Sequence, residues 1–385
     1  MRKMRLLLPI LFMFISVFCT GMSIFELTDA DSYVTVVVKS TPAAENETRL
    51  KIIIRGLPSA VVRAKKVKVS TLPMADRYLI LSYKKKEAMY VMDKEGSMFN
   101  PLTSEQILIP QKWKNKLKVY GNMAAASHYG KLLSWDEVKK DIPNKSVLTV
   151  IDLETGLEFK AQRRAGKYHA DVQPLTKSDT KIMKQIYNGK WSWKRKSILV
   201  GKDGRYYAAS MQGMPHGGDG IPDNGFSGHF CIHFLDSLTH GSRNRDPEHH
   251  LMIYKAAGKL DAYFESVTPY ELVDSFISAV NARELYILPR CFLDLHHPRL
   301  LEIQREMPDI QVFSRVSKYE KKKELENALS TEISVKIRME RKGKGTETAD
   351  MIFHIARDTR QSPWKIIDIK GGFGSDAVTE TSSGA

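Results

Sequence analysis

Ile333, Val335, Ile337 and Met339 alternate with polar residues, and this two-residue period limits the fold more than any other feature of the chain. Successive side chains of a strand point to opposite faces, so such a run fits a half-buried strand and does not fit a helix. Met351–Ala356 alternates in the same way, and Trp364–Ile369 closes the series. Short β-branched or alternating runs bounded by Pro, Gly, Asn or Ser recur at Tyr33–Val38, Leu50–Ile54, Val61–Ser70, Tyr78–Tyr83 and Ala88–Met92. Ser146–Asp152 and Leu157–Gln162 flank the turn Glu154-Thr155-Gly156 as one hairpin, and Ser197–Val200 and Arg205–Ser210 form a second around Gly201–Gly204.

Helical signals are fewer. A short helix is expected around Ser134–Lys140. Ile182, Met183 and Ile186 have helical spacing within Thr176–Tyr187. Asp246-Pro247-Glu248 starts a helix running towards Gly258, with Pro in the first turn and acid at the positive end of the dipole. Thr268 and Pro269 open another, with Leu272, Phe276, Ile277 and Val280 as its apolar face. A further helical segment is expected over Leu285–Leu293. The Gly-, Ala- and Ser-rich Tyr120–Lys131 reads as a boundary. The expectation is therefore a multidomain, β-rich and α+β chain. It has a β-sandwich-like module at 30–125, a mostly β central domain at 131–262, a helix-then-strand α+β domain at 265–372 and a polar, disordered tail at 373–385.

With 385 residues the chain can bury more than one core, and 42% hydrophobic residues place it among globular proteins. Its formal charge of +15 calls for anionic surroundings. Nucleic acid is the usual inference from such a charge, but the N-terminus argues otherwise. Arg2, Lys3 and Arg5 precede an almost unbroken apolar run over Leu6–Phe25, so residues 1–25 read as a signal peptide or membrane anchor. For an exported, extracytoplasmic protein a basic surface meets anionic cell-wall polymer or a membrane surface. Of three cysteines, Cys19 lies in the leader, leaving Cys231 and Cys291, too few for a disulfide framework.

Reactive side chains gather in Met211–His233. Cys231 lies between His229 and His233, and His216 precedes it behind a Gly-rich segment. In an extended segment His229, Cys231 and His233 share a face. A thiol attacks as its thiolate and is activated by neighbouring imidazoles. His216 arrives from a strand end and can meet the sulfur head-on, whereas the Cβ of His233 lies roughly 6.5–7 Å away along a strand. Two other readings stay open: a zinc site of His229, Cys231, His233 and His240, and a structural strand cysteine. His249 and His250 cannot both face one point on a helix, so at most one of them serves the site.

His216-Gly217, a loop, and then Ser227-Gly228-His229-Phe230-Cys231-Ile232 resemble the signature of L,D-transpeptidases (YkuD-like). Phe230 stands where that family has Gly, His233 where it usually has Arg, and Gly228 is interposed. The resemblance covers the middle third of the chain and implies cysteine acyl transfer on peptidoglycan stem peptides through a thioacyl-enzyme. Cys231 would be the nucleophile, His216 its base and His229 a second imidazole. Gly217, Ser227, Gly228, Phe230 and His233 would contribute the oxyanion and substrate contacts, with no cofactor or metal. The alternative is a non-catalytic, membrane-anchored wall-binding or assembly protein with a degenerate domain. Residues 265–372 resemble a nuclear-transport-factor-2-like (NTF2-like) accessory domain.

Overall fold

The computed structural model describes residues 33–83, 86–218, 220–320 and 325–372. The expected leader at 1–25 and tail at 373–385 lie outside the described residues. The period-two runs form three antiparallel sheets, each with its own apolar core.

The N-terminal unit comprises β1 (Tyr33–Lys39), β2 (Glu47–Ile52), α1 (Leu57–Arg63), β3 (Lys65–Lys68), β4 (Arg77–Tyr83), β5 (Lys86–Met92), β6 (Met98–Asn100), β7 (Glu105–Leu108) and α2 (Gln111–His128). All seven strands join one sheet in the order β2-β1-β4-β5-β6-β7-β3, so hydrogen bonding links what was expected as a two-sheet sandwich. Two expectations are corrected here. The strand expected at Val61–Ser70 is α1 followed by the short β3, because Pro58 suits a first helical turn and Leu57 and Val61 bury on one side. The boundary expected at Tyr120–Lys131 is largely the end of α2. Trp113, Leu117, Gly121, Ala124 and His128 recur at helical spacing and bury on the sheet, and the small residues read as linker bring helix and sheet together.

The central unit follows as α3 (Trp135–Asp141), β8 (Val147–Asp152), β9 (Glu158–Ala165), β10 (Ala170–Pro174), α4 (Lys177–Ile186), β11 (Arg195–Lys202), β12 (Arg205–Gln212) and β13 (Phe230–His233). The strands close into a barrel in the order β10-β13-β12-β11-β8-β9. Both expected hairpins are present, and the expected helices begin at Ser134 and Thr176, each closed by a capping box. Inward residues such as Val150, Phe159, Val172, Ile198, Phe230 and Ile232 fill the barrel.

The last unit holds α5 (Pro247–Ala256), α6 (Leu260–Ser266), α7 (Pro269–Ala282), α8 (Pro298–Glu306), β14 (Ile310–Arg315), β15 (Ser330–Arg341), β16 (Gly345–Ala356) and β17 (Lys365–Gly371). Its sheet order is β14-β15-β16-β17. Ile333, Val335, Ile337 and Met339 are each 3% exposed or less, burial of about 1.5–3 kcal/mol per side chain. The helix expected over Leu285–Leu293 is only a 3-10 turn, Leu288–Cys291, around Pro289. The helix α8 had no counterpart in the sequence reading.

The units meet at α5. Its Ala256 packs on Leu199 and Ala208 outside the barrel, while Leu251 and Met252 enter the C-terminal core. Lys255, its side chain 2% exposed, bonds Glu154 of the barrel and Glu284 just beyond α7, both at 2.7 Å. Glu154 in turn accepts hydrogen bonds from Ser40 and Thr41 of the N-terminal unit. Among the described residues no helix is long and apolar enough to cross a membrane.

Candidate active site

Strand alternation sorts β13 cleanly. Phe230 and Ile232 point into the barrel core, so Cys231 and His233 face outward. In β10, Ala170 and Val172 point inward. Asp171 therefore faces outward, directly opposite Cys231 in the antiparallel register.

His216 reaches the thiol from the chain leaving β12. A two-way backbone bridge joins it to His229, with His216 N–H donating to the His229 carbonyl at 3.0 Å and His229 N–H to the His216 carbonyl at 2.8 Å. The bridge needs glycine at 228, where φ is +84° and a Cβ would lie 2.3 Å from the His216 carbonyl oxygen. Gly217, at φ +68°, leaves room for the His229 ring, whose Cε1 would stand 2.4 Å from an added Cβ. His216 Nδ1 lies 2.9 Å from the Met214 carbonyl oxygen. A carbonyl only accepts, so Nδ1 carries the proton. Nε2 then faces Cys231 Sγ at 3.3 Å, the pairing a general base requires. The exposed Trp193 ring lies 5.2 Å from His216 and walls this side.

A further imidazole, His169, was absent from the sequence reading, which offered His229 as the second. His169, just before β10 and 1% exposed, directs its ring at the other side of the sulfur. Its Nδ1 donates to the Leu238 carbonyl at 2.7 Å, and its Nε2 lies 3.3 Å from Asp171 Oδ1 and 2.9 Å from His240 Nε2. His240 Nε2 is also 3.1 Å from Asp171 Oδ1. Period-two spacing of His169 and Asp171 was a local signal, but only the β10–β13 register brings them to Cys231.

The electrostatics favour an ion pair. Burial alone would raise the Cys231 thiol, yet hydrogen bonds and charge from His169 and His216 bring it below its ordinary value. Burial works against the His169 imidazolium, but Asp171 and the sulfur push it up to about 10. His216 is raised chiefly by its hydrogen bond to Cys231. Burial opposes ionisation of Asp171, but the surrounding imidazoles hold its carboxyl below the usual range. Cys291, wholly enclosed, is pushed the other way, up to about 12, and is a packing residue.

The structure brings His216, His229 and Cys231 together and moves several other expected residues away. His233 does share the outward face with Cys231, but that face continues beneath α5. Its ring, 3% exposed, is stacked between His169 at 4.4 Å and His249 at 3.9 Å, so it is not a substrate contact. Phe230 is barrel core against Phe159 and Phe226, not pocket. The zinc set His229, Cys231, His233 and His240 is likewise corrected. Among the described residues the two groupings of candidate ligands are His216, His229, Cys231 and His240, and His169, Asp171, Cys231 and His240, and neither includes His233. The His229 N–H is committed to His216 and cannot serve an oxyanion. Ser227 is exposed at the rim, and of the pair on α5 it is His249 that faces this side, bonding Ser210 Oγ at 2.9 Å. No protein-family model matches the chain, and no curated protein matches it.

Proposed function

We propose that the chain is an exported cell-wall enzyme of the L,D-transpeptidase kind, working by cysteine acyl transfer on peptidoglycan stem peptides. The observation that carries this reading is the approach of His216 Nε2 to Cys231 Sγ at 3.3 Å, with the opposite ring nitrogen held by the Met214 carbonyl. The motif resemblance and the depressed thiol support it, and the +15 charge suits an anionic wall. In this reading the central barrel is the catalytic domain and the C-terminal α+β unit an NTF2-like accessory module.

The Cys231 thiolate attacks an amide carbonyl of the stem peptide, and the C–S bond forms. Collapse of the tetrahedral species breaks the C–N bond, and the leaving amine takes its proton from the His216 imidazolium. An acceptor amine, or water, then attacks the thioacyl carbon and gives its proton back to His216. The C–S bond breaks and the thiolate returns. His169, locked by Leu238 and Asp171, keeps positive charge beside the sulfur in the resting enzyme.

Incubation with muropeptides followed by intact-mass analysis tests this. The expected result is a mass gain equal to the acyl fragment, located at Cys231 and absent from Cys231→Ser. An unmodified protein with unchanged muropeptides would favour the non-catalytic wall-binding alternative.

A further inference from the structure

His169, Asp171 and His240 converge on one point beside Cys231. His169 Nε2, His240 Nε2 and Asp171 Oδ1 stand 2.9, 3.1 and 3.3 Å apart in one triangle, and all three present lone pairs once His169 gives up its Nε2 proton and His240 is neutral with its proton on Nδ1. His229 Nε2, buried and without a hydrogen-bond partner among the described residues, is aimed at the same carboxylate oxygen from 3.8 Å. Cys231 Sγ completes a grouping whose ligand atoms all lie within 4.8 Å of one another.

We propose that His169, Asp171, Cys231 and His240 form a Zn2+ site whose occupancy switches the thiol off. Zinc bonds of about 2.0–2.3 Å place neighbouring tetrahedral donors about 3.3–3.7 Å apart. The triangle needs to open by only a few tenths of an ångström to become a face of that tetrahedron, and His240 lies on the exposed loop after β13, where it can adjust. The Leu238 carbonyl holds His169 Nδ1 as a donor and so presents the Nε2 lone pair, as a ligating imidazole requires. One thiolate and one carboxylate balance the dication. The alternative grouping through His216 and His229 offers a single anion.

On binding, a Zn–S bond forms, the thiolate–imidazolium pair gives up its proton to solvent, and the sulfur lone pair is no longer available to a carbonyl. Nothing is oxidised or reduced. The switching half of the proposal rests on Cys231 being the nucleophile, and the binding half does not.

The test is titration of chelator-treated full-length protein with Co2+ and then Zn2+. We expect one Co2+ per chain with thiolate-to-cobalt charge-transfer absorption, its displacement by Zn2+, and proton release. Alkylation of Cys231 by iodoacetamide should slow at least tenfold at saturating Zn2+ and recover with chelator. His240→Ala, at a half-exposed position that carries little of the fold, and Asp171→Asn should each weaken binding by at least the roughly 10–100-fold that loss of an outer-shell partner costs. His216→Ala should keep the cobalt band. Absence of the charge-transfer band, or a band lost in His216→Ala and kept in Asp171→Asn and His240→Ala, would overturn the site. If the band follows this pattern while metal-free Cys231 never accepts an acyl group, the metal site stands and only the acyl-transfer reading fails.

Discussion

Lys255→Met should loosen the joint between all three units. The side chain is 2% exposed and its ammonium sits 2.7 Å from both Glu154 and Glu284. Its removal takes the buried counter-charge from two partly buried carboxylates, a loss of up to about 3–5 kcal/mol, the range for breaking a buried pair. At about 1.36 kcal/mol per decade, amides of α5 and of the Asp152–Leu157 turn should exchange roughly a hundred to a few thousand times faster. Burial tends to raise the Glu154 carboxyl, but Lys255, Ser40 and Thr41 together hold it below its ordinary value. Its contribution is therefore present above the unfolded value near 4.5 and is lost as pH falls through the lowered folded value. In the variant Ser40 and Thr41 still bond Glu154 but the Lys255 charge is gone, so burial weighs more heavily, Glu154 takes up a proton at higher pH than in wild type, and the deficit should shrink from pH 8 to pH 5. Hydrogen-exchange mass spectrometry, corrected for intrinsic rates at each pH, reads both effects. Less than a fivefold change at pH 8, or a deficit that does not vary with pH, would refute the reasoning. Restoration by the neutral set Lys255→Met, Glu154→Gln and Glu284→Gln would support it.

The pH profile of Cys231 alkylation should have its midpoint below the unperturbed thiol value of about 8.5, with reactivity lost only as pH falls through the depressed value. His216→Ala and His169→Ala should each move that midpoint upward, and a wild-type midpoint at the free-thiol value would contradict the ion pair. His233 and His249 are kept neutral by burial, both well below the ordinary histidine value. The unfolded chain takes up their protons near pH 6.5, so urea-unfolding stability should fall below that pH by up to about 1.4 kcal/mol per pH unit per histidine. His249→Leu should reduce that slope, and an unchanged slope counts against the assignment. Gly228→Ala should break the His216–His229 bridge, through a left-handed-region cost of roughly 1–2 kcal/mol and a backbone clash. Far-ultraviolet circular dichroism should stay native while rapid alkylation of Cys231 is lost, and a fully reactive variant would show that the bridge does not hold His216.

Strand positions and helix caps were largely readable because each depends on neighbours in sequence. Period two marks β15, and Thr176, Asp246 and Thr268 sit at the caps their types favour. The Cys231–His216 pair was readable as a motif. His169 and Asp171 were not, because what makes them part of the site is the pairing of β10 with β13, a contact across about sixty residues. The misreading of His233 has a similar cause. Alternation gave its face correctly, but only the packing of α5 against the barrel shows that this end of the face is covered. The helix α2 was missed for another reason: Gly121 and Ala124 serve close packing on the sheet, and small residues carry the same local signal in a linker as in a tight helix contact.

The most direct test of the central claim is the intact mass of chelator-treated protein after brief incubation with tetrapeptide-stem muropeptides, with peptide mapping of the modified residue. The account predicts a single acyl adduct on Cys231 in wild type and in His233→Ala. It also predicts that adduct formation in His216→Ala is slower by roughly 10²–10⁴-fold, the usual loss for a positioned base. An adduct that persists at full rate in His216→Ala, or that never forms on metal-free wild type, would contradict it.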